Sequence, residues 1–123
     1  MRKVIVAGSR EFNNEEVLSR ELCDLLLKPI SAIEPLVLIE VVSGGDIGDD
    51  RMGEVFARRN NIPVRKFPID WETHGKSAGY IRDVEMADYA DELIVFWDGK
   101  SSDTKNMIWQ AEKRKMKTTI IYY

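Results

Sequence analysis

Residues 41–51 read V-V-S-G-G-D-I-G-D-D-R, a β-branched run that stops at two glycines and restarts as a polar helix opening. Val41 and Val42 favour a pleated strand, and the acidic residues after Gly48 suit the first turn of a helix, where the backbone dipole favours negative charge. Glycine lacks a Cβ, so this turn can take positive φ and bring its backbone into contact with a ligand. The first amides of the helix that follows have no intrahelical partner, which makes the junction a natural place for an anion. The stretch therefore predicts a strand, turn and helix unit whose turn is the candidate binding element. Ser43, Gly45 and Gly48 fall where the dinucleotide fingerprint G-x-G-x-x-G has its three glycines, and Asp70 follows at roughly the distance of the ribose-binding acid. The first glycine is a serine, however, and the turn follows the second strand of the chain.

Working outward, the same alternation recurs. Residues 4–7 are a short continuous apolar run ending at Gly8-Ser9-Arg10, as expected for a strand buried on both faces of a parallel sheet. After a cap at Asn13 or Asn14, Leu18, Leu22, Leu25 and Leu26 form a helical stripe, and Pro29 and Pro35 bracket the following connection. Residues 36–42 form the second strand. The helix after the glycine turn has Met52, Val55 and Phe56 inward and ends at Asn60-Asn61, and a third strand runs from Pro63 to Phe67. Residues 68–79, with Trp71 and the single histidine His74, show neither period and are read as an ordered functional loop. A helix over 80–89, a strand over 92–97 ending at Asp98-Gly99, a helix to about residue 115 with Met107, Ile108 and Ala111 inward, and a strand over 118–122 complete the chain. Strands alternating with helices predict a single α/β domain over residues 1–123, with about five mainly parallel strands and helices on both faces.

Composition narrows the function classes. A chain of 123 residues with 44% hydrophobic and 32% charged residues suits one globular domain and leaves no room for a separate catalytic domain. The net charge of -3 argues against a nucleic-acid polymer as the main partner, because such binders carry a basic surplus. One cysteine, Cys23, permits no internal disulfide, and no apolar run approaches a membrane span, so a cytoplasmic location is expected. His74 has no second histidine or cysteine with which to share zinc.

Open parallel sheets bind ligands beyond the carboxyl ends of their strands. Those ends are Gly8-Ser9-Arg10, Ser43-Gly44-Gly45 and Trp97-Asp98-Gly99, all carrying glycine. Arg10 offers a forked donor for phosphate, with Ser9 beside it, and Thr104, Lys105 and Asn106 open the last helix, where a hydroxyl and backbone amides could hold a second anionic group. Asp46, Asp49 and Asp50 crowd the first turn of the second helix. Dipole complementarity explains them, and the less favoured alternative is that their oxygens hold Mg2+ with a nucleotide ligand. Trp71 can stack on a base or pack against a partner subunit. Arg82 and Glu85 lie three apart on one helix face, the spacing of a surface pair.

These motifs, together with F-P-I-D-W-E-T-H-G-K-S-A-G over 67–79, I-R-D-V-E-M-A-D-Y-A-D over 81–91 and W-D-G-K-S-S-D-T-K-N-M-I over 97–108, resemble the YspA/YpsA-related branch of the SLOG superfamily. That superfamily also includes the DprA DNA-processing proteins and the LOG phosphoribohydrolases. The resemblance spans nearly the whole chain. It implies a Rossmann-like domain, found in bacteria and phages, that binds, senses or processes a nucleotide or nucleotide-derived small molecule, and it implies a homo-oligomer. By matching position it assigns ligand-binding roles to Gly8, Ser9, Arg10, Gly44, Gly45, Gly48, Asp50, Arg82, Asp98, Gly99, Ser101 and Thr104, to which the fingerprint spacing adds Ser43. Asp46, Asp49, Asp83 and Asp103 depart from the family pattern, each adding a carboxylate near the expected pocket. The alternative is a hydrolase of an N-glycosidic or phosphate bond, with Asp50, Glu85 or Asp98 as the working carboxylate. The catalytic glutamate of the phosphoribohydrolases falls on Met107, which cannot do acid-base work. A nicotinamide oxidoreductase is disfavoured by the position of the glycine turn.

Overall fold

The computed structural model describes residues 1–8, 12–27, 38–44 and 49–123, with backbone only for 49–51. Five strands form one all-parallel sheet in the order β3-β2-β1-β4-β5: β1 (Arg2–Gly8), β2 (Ile39–Ser43), β3 (Val64–Lys66), β4 (Glu92–Trp97) and β5 (Lys117–Tyr122). The expected α/β architecture is present, with β4 at the limits read in the sequence and the other strand limits displaced by at most three residues.

The three central strands are buried on both sides, and the two-residue period of a strand sorts their side chains. Val4, Val6, Val41, Ile94 and Phe96 face α1 (Glu15–Leu22) and α2 (Asp49–Arg59), while Ile5, Val42, Leu93 and Val95 face α4 (Ala78–Tyr89) and α5 (Ser102–Lys113). This is why β1 and β4 read as unbroken apolar runs. The leucine stripe behaves as its spacing predicts: Leu18, Leu22 and Leu26 are buried and Leu25 packs against them, although the chain widens into a π-helical turn over Cys23–Leu27. Asn14 is the cap, its side-chain oxygen accepting from the Val17 amide at 3.1 Å.

Two details differ from the sequence reading, and the sheet, expected to be mainly parallel, is parallel throughout. Residues 68–79 are not an irregular loop: Trp71–His74 form the single turn α3, Gly75–Ser77 a 3-10 turn, and α4 already begins at Ala78. Asp70 caps α3 through the Thr73 amide at 3.1 Å, and Gly75 ends it at φ 55°. One capped turn is too short for a period to show. On α2, Gly53, Phe56 and Ala57 are buried, with Met52 packed against the core and Val55 only half-buried.

Gly53 explains that last shift. A Cβ there would lie 2.9 Å from Val6 Cγ1 and 3.1 Å from Val6 Cβ, so α2 approaches β1 as closely as a bare backbone allows. Gly53→Ala is expected to destabilise the fold by roughly 1–2 kcal/mol, overpacking outweighing the gain of about 1 kcal/mol in helix propensity. Urea unfolding checks this, and unchanged or higher stability would mean that α2 can lift from the sheet. No helix among the described residues is long and apolar enough to cross a membrane.

Candidate functional site

The strand order places the reversal between β1 and β4, where the chain has gone from β1 to β2 and β3 on one side and continues to β4 and β5 on the other. A crevice beyond the carboxyl ends at such a point is the usual ligand position of an open α/β sheet. Gly8 closes β1 opposite Phe96 of β4. Phe12 then stacks on Phe96 with ring centroids 4.8 Å apart, which brings the chain back over the sheet.

On the β2 side, Ser43 is 1% exposed and its hydroxyl donates to Glu54 Oε1 at 2.9 Å. The expected ligand-facing serine is thus turned toward a buried carboxylate on α2. Glu54 Oε2 also lies 3.5 Å from Lys66 Nζ at the end of β3 and 3.6 Å from Arg58 Nη2 on its own helix. Glu54 was not among the residues singled out by motif reading. Its one sequence signal is a carboxylate placed among the inward positions of an amphipathic helix.

Above this bracket, the buried Gly44 carbonyl accepts from Arg82 Nη1 at 3.5 Å. The Arg82 side chain is 14% exposed, and its Nη2 lies 3.7 Å from Asp83 Oδ1. Asp83 is itself buried and accepts from Asn106 Nδ2 at 2.9 Å. Gly44, Arg82, Asp83 and Asn106 therefore connect the glycine turn, α4 and α5 across the crevice. Asp83, one of the added carboxylates, braces the arginine and α5. The partner of Asn106 was not legible in the sequence, because only the packing of α4 on α5 reveals it.

The β4 wall is built by Asp98. Its Oδ1 accepts from the Lys100 and Ser101 amides and its Oδ2 from the Ser101 hydroxyl, all at 2.8 Å. Gly99 sits at φ 82°, a conformation that a side chain would strain, and Trp97 Nε1 donates to the Ser101 carbonyl at 3.2 Å. These bonds shape the turn that delivers α5. Ser101 occupies the cap position of α5 but spends its hydroxyl on Asp98, and no side-chain cap closes the helix. Thr104 is buried in the first turn of α5, whereas Met107 belongs to the core between α4, α5 and the sheet.

The remaining candidates are placed differently. Glu85 is exposed on α4. Ser9, Arg10, Gly45, Asp46 and Gly48 lie outside the described residues, as do the side chains of Asp49 and Asp50. Among the described residues no three acidic, histidine or cysteine side chains group as metal ligands. Trp71 is 59% exposed beside His74 on α3. Asp70 serves that turn: hydrogen bonds from the Thr73 hydroxyl and amide hold its carboxyl below its ordinary pKa.

Residues 2–74 match YAcAr, the YspA, cpYpsA-related SLOG family. The chain belongs to this family. It is also 33% identical over 119 residues to the Gene 61 protein of Mycobacterium phage D29, covering 92% of this chain and 90% of that protein. The family match takes in β1 to α3 of this SLOG domain, and the phage relative extends the likeness over nearly all of the chain.

Proposed function

We propose that this SLOG domain binds a nucleotide-derived small molecule at the carboxyl ends of β1, β2 and β4, as a sensing or processing module. The observation that carries the reading is Arg82: a largely buried guanidinium held between the Gly44 carbonyl and Asp83 at the point where the sheet reverses. Burial strengthens the attraction of such a charge for an anion, and bracing reduces the entropy lost on binding. The contacts of Arg82 to the Gly44 carbonyl at 3.5 Å and to Asp83 at 3.7 Å are long, near the limit of a hydrogen bond, so a phosphate could displace these two at modest cost. The glycines of the second turn let the backbone approach ribose or phosphate. Mg2+ held by Asp46, Asp49 or Asp50 would offset their repulsion of such a ligand.

Calorimetry against mono-, di- and cyclic nucleotides, NAD and ADP-ribose, with and without Mg2+, tests the reading. One of them should bind in the micromolar range, and Arg82→Ala should weaken it at least about tenfold, since a hydrogen bond to a charged group contributes roughly 1.5–3 kcal/mol. Binding unchanged in Arg82→Ala removes the arginine from the site, and millimolar binding throughout removes the proposal. The hydrolase alternative has less support. Asp98 already accepts three hydrogen bonds, Glu85 faces solvent and Met107 is in the core, so Asp50→Asn is the variant with which to test turnover.

A further inference from the structure

The two edges of the sheet differ. β3 is an edge of three residues, preceded by Pro63 and carrying exposed Arg65 and Lys66, all features that discourage another strand from pairing. β5 is an edge of six residues, K-T-T-I-I-Y, with no proline and one charge, at its first position. Among the described residues nothing pairs with its outer side.

The pairing with β4 determines which groups that outer side presents. The Tyr123 amide donates to the Trp97 carbonyl, so Tyr123 and, by alternation, Ile121 and Thr119 direct their amides and carbonyls toward β4. Thr118, Ile120 and Tyr122 direct theirs outward. We infer that this edge pairs antiparallel with β5 of a second copy of the chain, about a twofold axis at Ile120.

In an antiparallel pair, residues facing each other must lie on the same face of the sheet, and those pointing inward exchange both hydrogen bonds. A register centred on Ile120 satisfies both conditions. Thr118 then meets Tyr122 of the second copy, and Ile120 meets its own counterpart, giving about six intermolecular hydrogen bonds, two for each such pair. Registers centred on Thr118 or Tyr122 leave half of the strand unpaired. Between these pairs Thr119 faces Ile121 of the second copy, a pairing of β-branched residues.

The helix above the edge is complementary in charge. Asn106 and Gln110 mark the flank of α5 nearest α4, through Asp83 and through Arg114 with Asp88. At 3.6 residues per turn, the opposite flank carries Lys105, Ile108 and Glu112. The twofold axis would lay the two α5 helices side by side and antiparallel, Lys105 of one beside Glu112 of the other. The sheets would continue as one, with the two ligand crevices at opposite ends. The inference is independent of what those crevices bind.

Sedimentation of the intact chain at high micromolar concentration should give twice the 14.2 kDa chain mass. Thr118→Pro removes an outward amide and leaves the β4 ladder intact, so it should sediment at the single-chain mass with an unchanged circular dichroism spectrum. In a Cys23→Ser background, Ile120→Cys should oxidise to a covalent dimer, because paired residues on the axis lie about 5.5 Å apart, within disulfide reach. Thr118→Cys and Tyr122→Cys, tested singly, should not. A monomer at high concentration, a dimer that persists in folded Thr118→Pro, or cross-linking at residue 118 or 122 but not 120 would each overturn the inference. Should Thr118→Pro fail to fold, the cysteine variants decide alone.

Discussion

Arg2→Met is expected to cost about 3 kcal/mol of folding stability, the low end of what is lost when one partner of a buried ion pair is removed. Arg2 grips Glu92 with both arms of its guanidinium, Nε to Oε2 at 2.7 Å and Nη2 to Oε1 at 2.9 Å, and Nη2 also reaches the Leu25 carbonyl at 3.3 Å. The Glu92 side chain is only 4% exposed. Its other cation, Lys117, lies 3.8 Å away on a side chain that is 70% exposed, so it cannot replace the fork. Without Arg2 a carboxylate at the start of a central strand must stay charged with poor solvation or take up a proton. For a chain of this length the loss corresponds to roughly 10 °C in Tm. The double variant Arg2→Met with Glu92→Leu should recover most of it, because the cost lies in the stranded charge rather than in the pair itself. A loss below about 1 kcal/mol in Arg2→Met alone would mean that water reaches Glu92.

Glu54→Ala should affect both stability and the site. The buried carboxylate holds the Ser43 hydroxyl and, more weakly, Lys66 and Arg58. A hydrogen bond to a charged acceptor contributes about 1.5–3 kcal/mol, and each exposed cation at most about 1 kcal/mol, so a total near 3 kcal/mol is expected. Ser43 leads directly into the Gly44 carbonyl that Arg82 touches, so loosening it moves the glycine turn relative to the arginine. Nucleotide affinity should therefore fall in Glu54→Ala even well below its melting temperature. Glu54→Gln keeps an acceptor for Ser43 and should retain most of both properties. Thermal unfolding and calorimetry on the two variants separate these effects, and equal affinity in Glu54→Ala and the unaltered chain would assign Glu54 to the fold alone.

The fold was readable because its cause is local. Continuous apolar runs at residues 4–7 and 93–97, separated by helical stripes, identify buried parallel strands whatever else the chain does. Leu18, Leu22 and Leu26 identify α1 in the same way. Where one turn of helix sufficed, as at Trp71–His74, no period could develop and the segment looked irregular. The glycines and Arg82 of the candidate site were legible for a related reason, since backbone approach and forked charge are properties of single residue types.

The partners of those residues were not. Glu54 under Ser43, Asn106 behind Asp83 and Arg2 on Glu92 join positions 11 to 90 residues apart, and a polar side chain in isolation carries no mark of what it will meet. Asp83, read from the chain as charge added near a pocket, is bound to Asn106, and Asp98, read as a ligand-binding residue, holds the Ser101 loop. The sequence by itself determined the class of sheet, its faces and the strand ends at which a ligand can sit, because burial and backbone freedom follow from residue type and spacing. Only the tertiary structure decided which carboxylates brace the site and which edge of the sheet stays open, because hydrogen bonding and strand order depend on neighbours in space.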